Sequence, residues 1–142
     1  MLTRAEAQSM IRACCANIML NGRKVPLYEH IAPESALNTT SIVIMPEVKA
    51  TARTSETFSA FNTAQIVQDY IYHIGIYVPR SKQSEQAVAD AESDLDSIID
   101  AVVGHVITDY RLDYVSNEIY SGPAPAGSVA TAYLEIKARG DL

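Results

Sequence analysis

Residues 65–78 read QIVQDYIYHIGIYV and are followed at once by Pro79. The even-numbered positions Ile66, Tyr70, Tyr72, Ile74, Ile76 and Val78 are apolar apart from Gln68, while Asp69, His73 and Gly75 fall on odd ones. A period of two belongs to a strand with one face buried, because successive side chains point to opposite sides of the pleat. Pro79 has no N–H to give a ladder, so the strand is expected to stop there. A helix over 84–103 is expected to fold back over the apolar face. In it Val88, Ala91, Leu95, Ile98, Ile99 and Val102 make one stripe and Asp90, Glu92, Asp94, Asp96 and Asp100 fill most of the remainder, with Gly104 ending the run.

Working outward, Thr3-Arg4-Ala5-Glu6 has the pattern of a capping box, and Ala7, Met10, Ile11, Cys14 and Ile18 recur at spacings of three and four. A first helix is therefore expected to about Leu20, with Asn21-Gly22 as its left-handed stop. Residues 22–41, with Pro26 and Pro33, are expected to be a loop. Residues 41–45 are β-branched and closed by Pro46, which suits a short strand. Residues 47–63 are rich in Thr, Ser and Ala, with isolated Val48, Phe58 and Phe61 and neither period. A stretch of that length without pattern is expected to order only against a partner. Residues 107–120 alternate again, 121–127 form a turn-rich connection, and 128–138 carry Ala130, Ala132, Leu134 and Ile136 on one side. The expected architecture is α+β, one domain over 1–142: a mainly antiparallel four-stranded sheet with two helices on one face, in the order helix-strand-strand-helix-strand-strand.

Composition narrows the function classes. The chain has 142 residues, 48% hydrophobic and 20% charged, which is globular rather than disordered composition. Eleven basic against seventeen acidic residues leave a net charge of -6, which argues against a sequence-independent grip on nucleic acid phosphates. No apolar run approaches the ~20 residues that span a bilayer, and the N-terminus lacks the apolar core of a secretory signal, so a protein of the cytosol or of a cytosol-built assembly is expected. The adjacent Cys14 and Cys15 cannot staple distant segments and are expected to be small buried hydrophobes.

No motif of catalysis or cofactor binding stands out. Asp69 and His73 on one strand face are about 13 Å apart by strand rise, too far for an acid-base pair. His30, His73 and His105 lack the spacing of a zinc site, the acidic helix lacks a calcium loop, and Gly122 and Gly127 bracket prolines rather than forming a phosphate turn. No enzyme, cofactor or metal is expected. The odd face is more informative. Val67, Asp69, Ile71, His73, Tyr77, Asp109, Arg111, Asp113, Val115, Val129, Tyr133, Glu135 and Lys137 would lie on it, apolar and aromatic groups interleaved with both charges. That mixture is the composition of a wet protein interface, and also of an antiparallel sheet facing water.

Taken together, the capped first helix, the Pro-bounded strand at 42–46, the long polar segment, the strand QIVQDYIYHIGIYVPR, the acidic helix SEQAVADAESDLDSIIDAVV and the final pair ending in ATAYLEIKARG resemble the tail terminator proteins of long-tailed bacteriophages, the lambda-type minor tail protein family. The resemblance implies a virion protein assembled in the host cytoplasm, a homohexameric ring that caps the tail tube and stops its polymerisation. It would offer the head-tail joining surface to a head-completion or neck protein, with DNA passing through its lumen without specific binding. Partner-binding loops of the family correspond to 47–63 and 121–127. With the odd face, these give the expected interface: Lys49, Arg53, Phe58, Phe61, Asp69, Ile71, His73, Arg111, Asp113, Tyr133 and Lys137. Competing readings are a phage head-completion or neck protein of similar size and, in a different class, a small ligand-binding domain or enzyme with a site near 47–63.

Overall fold

The computed structural model describes residues 2–29, 39–45, 49–56, 64–80, 85–124 and 127–140. In chain order the elements are helix α1 (Arg4–Cys15), strands β1 (Met19–Leu20), β2 (Arg23–Lys24), β3 (Leu27–Glu29), β4 (Ser41–Ile44), β5 (Lys49–Glu56) and β6 (Ala64–Arg80), helix α2 (Glu85–Thr108), and strands β7 (Leu112–Ala124) and β8 (Gly127–Ala138). β1 and β2 form a two-stranded sheet, and the other six strands form one mixed sheet ordered β3-β4-β6-β8-β7, with β5 also paired to β6. The expected four-stranded, mainly antiparallel sheet in the order helix-strand-strand-helix-strand-strand is thus corrected: there are two sheets, the larger has six strands, β3 pairs parallel to β4, and six strands rather than two lie between the helices, β2 and β3 among them in the expected 22–41 loop.

β6 is the spine. On one side it pairs antiparallel with β8 from Tyr70↔Ala138 to Arg80↔Ser128. On the other side it pairs antiparallel with β4 over Ile74 to Tyr77 and with β5 over Ala64 to Ile71. Pro79 and Arg80 still lie opposite Val129 and Ser128, so the strand outruns the expected stop by two residues. Between Ile44↔Ile74 and Lys49↔Ile71, five steps along one strand match three along β6, leaving two surplus residues. The segment expected to order only on a partner therefore includes a strand of this chain. Its composition lacks alternation because a strand placed by backbone pairing along an edge need not bury a side-chain face.

The even face of β6 is dry. Tyr72, Ile74 and Ile76 are fully buried, as are Leu134 and Ile136 of β8, and they share one core with Ala7, Ile11 and Cys15 of α1 and Leu95, Ile98, Val102 and Val106 of α2. The tyrosine hydroxyls are not stranded there: those of Tyr70 and Tyr72 donate to the carbonyl oxygens of Leu2 and Arg4, each at 3.5 Å. α1 begins in the expected capping box, with Thr3 Oγ1 accepting from the Glu6 N–H at 3.2 Å and Glu6 Oε2 accepting from the Thr3 N–H at 3.4 Å.

Four boundaries differ from expectation. α1 ends at Cys15, and Asn21 (φ 52°) and Gly22 (φ 78°) make the two-residue turn of the β1–β2 hairpin rather than a helix stop. Two consecutive left-handed residues are what such a turn requires. α2 passes Gly104 to Thr108, because Val106 continues the buried stripe one turn beyond Val102 and its burial outweighs a glycine penalty of about 1 kcal/mol. β7 consequently starts at Leu112, not at 107, and the 121–127 connection contracts as β7 reaches Ala124 and β8 resumes at Gly127. Among the described residues no helix is long and apolar enough to cross a membrane.

Tyr72→Asp should abolish folding, because it buries an unpaired charge at a position of zero exposure at a cost of several kcal/mol. Circular dichroism and thermal melting check this; a soluble variant that melts like the parent would refute the assignment of the two faces.

Candidate functional site

The odd face of β6 and β8 carries a row of cross-strand pairs, since residues opposite one another in an antiparallel ladder share a face. Tyr77 and Tyr133 meet edge to face with ring centroids 6.1 Å apart and their hydroxyls at 3.3 Å. Next, His73 Nε2 lies 3.2 Å from Glu135 Oε1. Asp113 of β7 then sits between Lys137 at 4.0 Å and Arg139 at 3.7 Å. All of these side chains are partly exposed. Pairs of this kind contribute only about 0.2–1 kcal/mol each, so the face is organised without being tightly locked.

Gly75 explains how the tyrosine end is built. A Cβ there would lie 2.9 Å from Met45 Cε, 3.0 Å from Tyr77 Cε2 and 3.1 Å from the Tyr77 hydroxyl oxygen, so the Tyr77 ring and Met45 close over bare backbone. Beside it Ser41 and Thr131, both opposite Tyr77, and Val43, opposite Gly75, are buried although they lie on this face. The face is thus roofed at its tyrosine end and open toward His73, Ile71 and Lys137.

The expected interface residues fall in five places. Ile71, His73, Asp113, Tyr133 and Lys137 do lie together on this face. Asp69 does not serve it as a surface charge: it is buried, and its Oδ1 accepts from the Gly140 N–H at 2.9 Å, tying the C-terminal turn to β6. Arg111 leaves the sheet altogether, because the longer α2 places Asp109 to Arg111 in the turn before β7. There Asp109 accepts from Arg111 Nε at 3.0 Å, from Nη2 at 2.9 Å and from the Arg111 backbone N–H at 3.0 Å. These bonds hold the Asp109 carboxyl below the usual carboxylate range and push the guanidinium up. Lys49 and Arg53 fall on β5, while Phe58 and Phe61 lie outside the described residues.

The parity of β7 also departs from the expected alternation. The register shifts between Tyr114 and Ser116, so Val115 is extra and the odd-numbered Asn117 comes opposite Leu134, sharing that residue's face of the sheet while itself exposed. A signal existed in the sequence, since the apolar residues of this strand change from even positions (Leu112, Tyr114) to an odd one (Ile119).

Sequence reasoning missed an open depression of about 500 Å³ along α1, lined by Leu2, Ala5, Glu6, Ser9, Met10, Ala13 and Arg111. Its two charged groups are already engaged, Glu6 in the helix cap and Arg111 with Asp109. Cys14 and Cys15, on the same helix but not lining it, are buried, and loss of solvent raises their thiols to about 11 and about 12, which keeps them protonated and unreactive. Among the described residues no three His, Cys, Asp or Glu side chains converge as metal ligands would. Compared with protein-family models and with curated proteins, the chain matches none.

Two outcomes test this geometry. Gly75→Val should cost about 1–3 kcal/mol by overpacking and change the near-ultraviolet circular dichroism of the displaced Tyr77–Tyr133 pair, with the far-ultraviolet signal retained. The Asp109 carboxyl, depressed in the fold, adds stability that is present above its ordinary titration range and lost as pH falls through the lowered one. Asp109→Asn should therefore lower the melting temperature at neutral pH by at most about 4 °C, since the pair is partly exposed, and the gap to the parent should close in acid.

Proposed function

We propose that the chain is a non-catalytic ring subunit of the tail terminator type, which caps a phage tail tube and presents the surface that the DNA-filled head joins. The observation that carries this reading is the unlike treatment of the two sides of one sheet. One side is sealed by α1 and α2 over a continuous apolar core. The other bears partly exposed aromatic and ion-pairing side chains in cross-strand register. A head-to-tail ring needs two different patches on each copy; the unfinished side of the sheet offers one, and the segment 47–63, which contributes β5 at an edge of the same sheet, offers the other.

Charge supports the same reading. α2 holds six of the seventeen acidic residues and no lysine or arginine, so outside it the eleven basic residues are balanced by eleven acidic ones. The net negative charge thus resides on one helix, with Asp90, Glu92, Asp96 and Asp100 exposed. A helix of that kind turned toward a lumen would let DNA slide past without capturing its phosphates. The tube protein and a head-completion or neck protein are the partners of this reading, and the virion is its location.

The test is electron microscopy of the purified chain mixed with isolated tail tubes. Six-fold density at one end of each tube and an arrest of further tube growth are expected. Tubes that keep elongating with bare ends would overturn the proposal.

A further inference from the structure

Three edges of the six-stranded sheet have no strand beyond them among the described residues: that of β3, only three residues long and paired only with β4, and the two longer ones, the outer edge of β5, which pairs only with β6, and the outer edge of β7, which pairs only with β8. β7 is thirteen residues long. Exposed edges of such length are templates for strand addition, and folded proteins cover or disarm them. The charges on the two edges are opposite. β5 carries Lys49, Arg53 and Glu56, whereas the only charged residues of β7 are Asp113 and Glu118.

Register sharpens this complementarity. Lys49 lies opposite Ile71 and Arg53 opposite Val67, so both occupy odd-face positions of β6, four steps apart. Asp113 lies opposite Lys137 and Glu118 opposite Tyr133, which are odd-face positions too. Asp113 and Glu118 are five apart in sequence, but the bulge between Tyr114 and Ser116 absorbs one residue, so they are four steps apart measured along β8. All four charged positions therefore share one face of the sheet at one spacing. The directions also agree: β5, β6, β8 and β7 are antiparallel in succession, so β5 runs opposite to β7.

Resting on the ring reading above, we propose that β5 of one copy adds antiparallel to the outer edge of β7 of the next copy, with Arg53 opposite Asp113 and Lys49 opposite Glu118. Within one copy Lys49 is level with Asp113, so this pairing staggers successive copies by four residues. A rotation about an axis to which the strands are inclined, as in a barrel, keeps strand direction and facing and takes up that stagger, so the contact repeats head to tail, and ring closure covers both of these edges. Asp113 is available to such a partner, because its own contacts to Lys137 and Arg139 are at the outer limit of ion pairing, 4.0 and 3.7 Å.

Paired cysteines test it in the full chain. Facing residues of antiparallel strands have Cα atoms about 4.5–5.5 Å apart, within disulfide reach. On mild oxidation, alone and on isolated tail tubes, Arg53→Cys with Asp113→Cys and Lys49→Cys with Glu118→Cys should each give a ladder of covalent multimers on a non-reducing gel. The out-of-register control, Lys49→Cys with Asp113→Cys, should give less than about a tenth as much, because its Cα atoms are far beyond the bridging range. The parent should give none, its own cysteines being buried. Separately, Lys49→Glu with Arg53→Glu should weaken assembly about tenfold by setting like charges opposite, and adding Asp113→Lys with Glu118→Lys should restore it. Light scattering separates the failures. An oligomer without either matched cross-link overturns edge pairing and leaves the ring reading standing; a chain that is monomeric in solution, unlinked and absent from tube ends overturns both.

Discussion

The burial of one face of β6 is the constraint on which the rest of the structure depends. From Tyr70 to Val78 every second side chain is out of water, and those residues touch both helices and the matching face of β8. Each large side chain so buried is worth about 1.5–3 kcal/mol, far more than any single polar contact on the opposite face. A one-residue slip of β6 would exchange the two faces, so this burial sets the registers of β4 and β8, and through β8 that of β7. It also dictates how the tyrosines are used. Tyr70 and Tyr72 enter the core because Leu2, just before α1, and Arg4, its first residue, offer carbonyl oxygens to their hydroxyls.

The other face follows a different economy. Its pairs, Tyr77 with Tyr133, His73 with Glu135, and Asp113 with Lys137 and Arg139, are weak enough individually to exchange for contacts with another molecule. Where rigidity is needed the chain obtains it sterically, by laying Tyr77 and Met45 over Gly75. On the proposed ring reading, one side of the sheet is committed to the chain's own core and the other is held by pairs that could exchange for contacts with a neighbouring copy.

Several features belonged to long-range pairing and had no local trace. β5 was hidden because the sequence from Lys49 to Glu56 has no regular apolar period; its place follows from backbone pairing to β6. The parallel register of β3 on β4 joins residues more than a dozen apart whose side chains carry no mark of that partner. Arg111 moved from the sheet to a turn because α2 continued past Gly104, a position where a local rule for helix ends lost to the burial of Val106. Within the candidate interface, Ile71, His73, Asp113, Tyr133 and Lys137 were legible from parity alone. Asp69 was not, because its burial depends on Gly140, which follows β8 at the far end of the chain.

By itself the amino-acid order determined which side of β6 is apolar, which stripe of α2 meets it, and how α1 is capped. Each of these is a periodicity or a four-residue motif that one segment carries unaided. Only the tertiary structure decided how many strands the sheet has, which pair is parallel, where β7 changes parity and which edges stay open. Those depend on backbone hydrogen bonds between distant segments, and a peptide group is the same whatever side chain it bears.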